Sequence, residues 1–146
     1  MQFIIFTILT KRFTFEETFV SLQRKNSKMD KRFEVKILDE ALEFLQGLER
    51  KHYEKLLYNI RKAQVENDPE LFKKLKDDIW EFRTFFQGLK YRLLAFWDKT
   101  SATDTLVVCS HGFIKKRSKI PEQEIEKAVQ IRIKYFENKQ FKHKKE

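Results

Sequence analysis

Cationic side chains cluster between residues 79 and 120, and their types and spacing could hold a phosphate group. They include Arg83, Arg92, His111, Lys115, Lys116 and Lys119. A guanidinium is planar and can hold two phosphate oxygens at once. Lysines close together lower each other's proton affinity, so Lys115 or Lys116 could act as a base. His111 or a lysine partner could then act as the acid.

Such groups could cleave RNA through attack of its own 2′-hydroxyl on the adjacent phosphorus. That reaction needs an aligned hydroxyl, a stabilised phosphorane and a proton for the leaving 5′-oxygen, but no metal. Three histidines and one cysteine show no metal-ligand spacing. With three glycines in all, there is no glycine-rich phosphate loop. We therefore expect neither a metal nor another cofactor.

Each of these residues also has a structural interpretation. Arg83 follows Glu81 on one strand face and could simply pair across strands on a solvated surface. The run from Lys115 to Lys119 could be a solvated loop, although four cations without an acid favour phosphate contact. His111, at a predicted strand end, could be a structural histidine. His52, on a predicted exposed helix start, and His143, in the tail, are expected to have no functional role.

The composition predicts a folded, basic, single-domain protein. The 146 residues carry a net charge of +9, which favours a polyanionic partner. The 15 phenylalanines predict an aromatic-rich core. Cys109, the single cysteine, lies in an apolar run and is expected to be a buried, inert thiol in a reducing cytoplasm. No stretch approaches the roughly 18 apolar residues that span a bilayer, so we expect no membrane association.

Hydrophobic periodicity predicts an α+β fold that would position the cations. Alternation indicates a strand over 32–38, and helical spacing after Asp39 indicates a two-helix hairpin that breaks at 47–50 and ends at 67–69. A helical turn is expected at 70–78. A three-stranded antiparallel meander follows, and a closing helix runs from Pro121 to about Asn138. The meander strands are predicted at 79–86, 89–98 and 106–110, with a turn at 87–88 and a sharp exit at Gly112.

Side-chain alternation assigns the meander residues to faces. Glu81 and Arg83 share one face, whereas Trp80 and Phe82 share the other. Tyr91 is likewise expected to face away from Arg92. The nearly all-apolar strand over 89–98 is predicted to be central in the sheet.

The chain ends are predicted to lie outside the domain, which spans 29–138. Residues 3–9 are apolar and precede Lys11 and Arg12, the reverse of the order in a secretory signal. The segment 1–28 could be an added edge strand or arm, or an upstream translation before a natural start at Met29. Residues 139–146 form a basic tail that is expected to fray.

The segments IWEFR, YRLLAFWD and HGFIKKRSKIPEQEIEKA resemble the phage-derived HigB-type branch of the RelE/ParE toxin superfamily. The resemblance covers about residues 30–138 and implies a RelE-like fold. It also implies a type II toxin of the cytoplasm that cuts messenger RNA on the ribosome. A cognate antitoxin, often a helix-turn-helix protein, would neutralise it.

The resemblance assigns roles to individual residues. Catalytic roles fall to Arg83, Lys115, Lys116 and His111, and RNA contacts to Arg92 and Lys119. We also predict RNA contacts for Tyr91 and Arg117, which the resemblance does not itself assign. Two other functions remain open at this point. One is a gyrase poison of the ParE type, and the other is an RNA-binding module of the same fold that does not cleave.

Overall fold

The computed structural model describes residues 30–101 and 105–145, and within them it confirms the predicted α+β fold. The expectation for residues 1–28 lies outside the described part. The elements are β1 (Glu34–Ile37), α1 (Asp39–Gln46), α2 (Arg50–Val65), β2 (Phe72–Lys74), β3 (Trp80–Phe86), β4 (Leu89–Asp98), β5 (Leu106–Ile114) and α3 (Glu122–Lys145).

The strands form one sheet in the order β1-β5-β4-β3-β2. β1 runs parallel to β5, and the other neighbours are antiparallel. β4 is central, as its apolar sequence predicted. The β3–β4 hairpin closes through Gln87 (φ 47°) and Gly88 (φ 80°), both left-handed. A two-residue turn of this kind matches the strand twist and sets the register, so Arg83 lies opposite Arg92.

Two hydrophobic cores lie on opposite faces of the sheet. α1 and α2 cover one face, where Leu45 and Leu57 join an aromatic group that includes Phe72 and Phe82, with ring centroids 4.3 Å apart. α3 covers part of the other face. Its buried positions are Ile125 and Ala128, packed with Leu94, Phe96 and Val108. The aromatic-rich core is confirmed. The face that carries α3 also carries Arg83 and Arg92, and we call it the α3 face.

The predicted helical turn at 70–78 is wrong, because this segment contains β2. Phe72 lies opposite Phe82 and stacks on it, which anchors the segment as an edge strand. Three apolar residues in so short a segment are compatible with both helical spacing and strand alternation. The burial of Phe72 against the sheet favours the strand.

β5 continues to Ile114, so the predicted strand end at Ser110 is wrong. Leu94 lies opposite His111 and Ala95 opposite Cys109, which leaves Ser110 as the extra residue of a bulge. Gly112 is a strand residue and not a sharp exit. A Cβ there would collide with the rings and methyls of Phe44 and Leu93, so glycine permits α1 to pack closely on β5.

α3 continues to Lys145, past the predicted helix end at about Asn138. Lys139 Nζ lies 2.6 Å from Asp98 Oδ2, which also accepts a hydrogen bond from the Tyr135 hydroxyl at 2.6 Å. Burial alone would raise the pKa of Asp98, but hydrogen bonds from Lys139, Thr100 and Tyr135 hold it well below the usual range. This buried carboxylate ties the late turns of α3 to the end of β4. No helix in the described ranges is long and apolar enough to cross a membrane.

Candidate functional site

Four cationic residues meet on the α3 face, near the hairpin end of β3 and β4. Arg83 and Arg92 lie directly opposite each other, and Lys90 is two residues from Arg92 on the same face. The Lys115 backbone N–H donates to the Lys90 carbonyl at 2.7 Å, which carries β4–β5 pairing just beyond Ile114. We call Arg83, Lys90, Arg92 and Lys115 the cation cluster.

A buried carboxylate lies between the two arginines. Glu81 is 3% exposed, with Oε2 3.3 Å from Arg92 Nε and Oε1 3.5 Å from Arg83 Nε. These contacts are ion pairs without hydrogen-bond geometry, because both Nε atoms and Glu81 Oε2 have no hydrogen-bond partner. Glu81 therefore places one negative charge close to both guanidinium groups.

Arg92 is the more enclosed of the two arginines. It is 4% exposed, and its Nη1 donates to the Tyr91 carbonyl at 2.9 Å. Burial lowers the pKa of Arg92, and the Glu81 carboxylate opposes that effect. Arg83 is more open, with a 23% exposed side chain that also pairs with Glu70 at 3.6 Å. A guanidinium held in a low-dielectric site interacts more strongly with an anion than one in water.

Lys115 has the environment of a proton acceptor. Burial lowers its pKa first, and the nearby positive charges of Arg92, Lys90 and Arg83 lower it further, against the opposing effect of Glu81. The neutral amine is therefore more populated than for an ordinary lysine. Lys115, one of the two lysines predicted as the base, thus lies near Arg83 and Arg92.

Two other cations of the turn line a cavity together with Lys115. Lys116 and Arg117 are exposed and share with Lys115 the lining of a cavity of about 310 Å³, which also includes Phe113 and Glu124. Lys119 is exposed later in the same turn. The structure therefore brings Lys116 and Arg117 next to the cation cluster.

His111 lies outside the cation cluster. It is buried beneath the start of α3, with Nε2 3.0 Å from Glu124 Oε2 and Nδ1 3.1 Å from Ser110 Oγ. Phe113, two residues further along β5, lies opposite Arg92 and stacks on the His111 ring. Burial lowers the pKa of His111, and the Glu124 carboxylate opposes that effect. Its partners give it a structural role, and a catalytic role remains a prediction.

Tyr91 faces away from Arg92, as predicted, and is buried on the opposite side of the sheet. Its hydroxyl lies 2.6 Å from His52 Nδ1, and His52 Nε2 lies 3.0 Å from Gln87 Oε1. The expectation that His52 is exposed is wrong, since it is buried four residues before Leu56 on the inner side of α2. That helical spacing could have identified it. The burial of Tyr91 argues against the predicted RNA contact.

Two further observations concern the cysteine thiol and metal binding. Cys109 is fully buried, as predicted, and burial raises the pKa of its thiol. The described residues contain no group of three or more His, Cys, Asp or Glu side chains that could hold a metal ion. The side chain of His143 lies outside the part that the structure describes.

A strand, a helical hairpin, a mostly antiparallel sheet and a closing helix form the fold of RelE-like proteins. Residues 43–132 match the family described as Phage derived protein Gp49-like (DUF891), which is well over half of the chain. The chain therefore belongs to the Gp49-like family, part of the RelE/HigB-like toxin group, and proteins of this family are commonly toxin-like. No curated protein matches the chain at a significant level.

Proposed function

We propose that this protein is a HigB-type toxin, a metal-independent endoribonuclease that cleaves messenger RNA on the ribosome in the cytoplasm. A cognate antitoxin, of the helix-turn-helix class, would neutralise it. The observation that carries the proposal is the convergence of Arg83, Arg92 and Lys115 around the buried carboxylate of Glu81. Family membership in a toxin group adds to this support.

In the proposed mechanism each of these groups has one role. Arg83 and Arg92 bind the non-bridging oxygens of one phosphate and stabilise the extra negative charge of the phosphorane. Neutral Lys115 removes the proton from the 2′-hydroxyl, whose oxygen attacks phosphorus and forms a 2′,3′-cyclic phosphate. The 5′-oxygen leaves and takes a proton from a lysine ammonium, for which Lys116 is the nearest in sequence. Glu81 contacts no substrate in this scheme and acts by positioning both arginines.

The pH dependence of cleavage tests the role of Lys115. A base must be neutral, so the cleavage rate is expected to rise with pH until Lys115 is deprotonated. Because the charge of Lys90 helps to lower the pKa of Lys115, Lys90→Ala is expected to move this rising limb to higher pH. The measurement is a single-turnover rate profile of the wild type and the variant.

Lys51→Ala, an exposed lysine on α2, is the matched control and is expected to leave the profile unchanged. Lys115→Arg cannot lose its proton and is expected to abolish the limb. A limb that stays in place in Lys90→Ala and survives in Lys115→Arg would exclude Lys115 as the base.

Inducible expression in bacteria tests the proposed function as a whole. Growth arrest is expected, with new 5′ ends on a reporter message mapped by primer extension to positions in the ribosomal A site. Purified protein is expected to cut the message faster with ribosomes than without. Arrest with DNA damage and intact messages would instead indicate a gyrase poison, and neither arrest nor cleavage would indicate a binding module.

A further inference from the structure

We propose that Phe85 is a stacking surface for a nucleobase next to the phosphate that the cation cluster holds, an inference that rests on the proposed function. Phe85 is 67% exposed, more than any other large hydrophobic side chain in the described ranges. Single exposed hydrophobic side chains are common on protein surfaces, so exposure alone does not indicate a ligand. The stacking role is inferred from the charged neighbours of this ring.

The neighbours of Phe85 on the α3 face are cations. It lies two residues after Arg83 on β3 and directly opposite Lys90 on β4, with Arg92 diagonal to it. Directly opposite side chains have Cβ atoms about 4.5–5.5 Å apart, and diagonal positions are about 7–8 Å apart. A ribose spans a comparable distance between a base and its phosphate, so one nucleotide can contact both the ring and a guanidinium.

The adjacent turn holds this arrangement in place. Phe86 and Leu89 flank the two left-handed residues Gln87 and Gly88, so Phe85 is one pair away from a tight hairpin end. His52 holds the Gln87 side chain from the other face and makes an edge contact with Phe86, with ring centroids 4.9 Å apart. The ring is presented on a strand whose register is fixed, and little ordering is needed when a base binds.

These surroundings favour an RNA base over an apolar protein surface. A protein-binding centre needs contiguous apolar neighbours, whereas the same-face neighbours of Phe85 are Arg83 and Lys90. An aromatic ring beside cations is the pattern of single-stranded nucleic-acid sites, where each base has a π-face to stack and each phosphate has a charge to bind. The ring tolerates any base, so it would contribute affinity and alignment more than sequence preference.

Binding of two short oligonucleotides tests this assignment. Both carry 2′-O-methyl groups, which prevent cleavage by the proposed reaction, and one is abasic at every position. Phe85→Ala is expected to weaken binding of the base-containing oligonucleotide about tenfold or more and to leave the abasic one unchanged. Phe85→Trp is expected to retain or tighten binding. Phe141→Ala, which removes a 62% exposed ring from α3, is the matched control and is expected to have no effect.

The outcomes separate this inference from the proposed function. If Arg83→Ala weakens binding of both oligonucleotides and Phe85→Ala weakens neither, the phosphate site stands and the stacking role is overturned. If the wild type binds neither oligonucleotide, the stacking role is overturned, whereas the proposed function is decided separately by cleavage on ribosomes. If Phe85→Ala binds RNA normally but escapes neutralisation by the cognate antitoxin, the ring contacts protein and the stacking role is likewise overturned.

Discussion

Arg83→Ala is expected to slow RNA cleavage about 100- to 1,000-fold, the cost typical of removing one preorganised donor from a charge-stabilising site. In our scheme Arg83 binds the phosphate most strongly when it becomes the phosphorane, so the loss falls on kcat and kcat/KM alike. Its side chain is 23% exposed, and Glu81 keeps Arg92 as a partner, so the variant is expected to fold. Single-turnover cleavage on programmed ribosomes measures the effect.

Two further variants make this result specific. Arg83→Lys keeps the charge but loses the planar pair of donors, so its rate is expected to lie between those of the wild type and Arg83→Ala. Arg50→Ala removes an arginine that pairs with Glu54 on the surface of α2 and is expected to cleave normally. Full cleavage and growth arrest in Arg83→Ala would remove Arg83 from the site and leave the nuclease proposal without its main phosphate contact.

The part of the site on β3 and β4 could be predicted from sequence because its rules are local. Side-chain alternation alone places Glu81 and Arg83 on one face. A two-residue turn at Gln87 and Gly88 then determines the register, which brings Arg92 opposite Arg83. Glu81 was the residue that sequence reasoning undervalued, since it was taken only as a surface partner. Nothing local indicates that this carboxylate is buried.

The part of the site on β5 depends on distant pairing and could not be predicted in the same way. The bulge at Ser110 changes the alternation along β5, so that His111 and Phe113 lie on the α3 face. The Glu124 partner of His111 comes from α3, thirteen positions later. Lys115 reaches the cluster only because pairing continues past the predicted strand end. Pairing with β4 and packing against α3 determined the positions of His111, Phe113 and Lys115. Pairing with β3 and the burial of Phe72 likewise determined β2.

Glu81→Ala is expected to lower the free energy of unfolding by about 3–5 kcal/mol, the typical cost of removing one partner from a buried ion pair. Arg92, 4% exposed, would then face Arg83 across the ladder with no carboxylate between them. Urea denaturation monitored by tryptophan fluorescence measures the change, because Trp80 and Trp97 pack in the core on the opposite face. Glu70→Ala is the matched control, since Glu70 pairs with Arg83 but its side chain is 84% exposed. The control is expected to lose less than about 1 kcal/mol.

A double variant distinguishes loss of charge compensation from loss of packing. Replacing Glu81 with Leu and Arg92 with Met removes both buried charges and keeps apolar volume, so it is expected to recover most of the stability lost in Glu81→Ala. It is also expected to remain inactive, because Arg92 no longer binds the phosphate. A double variant as unstable as Glu81→Ala would contradict the idea that the uncompensated charge of Arg92 destabilises the single variant. Recovered stability without cleavage would mean that the reaction requires the paired charges and the fold does not.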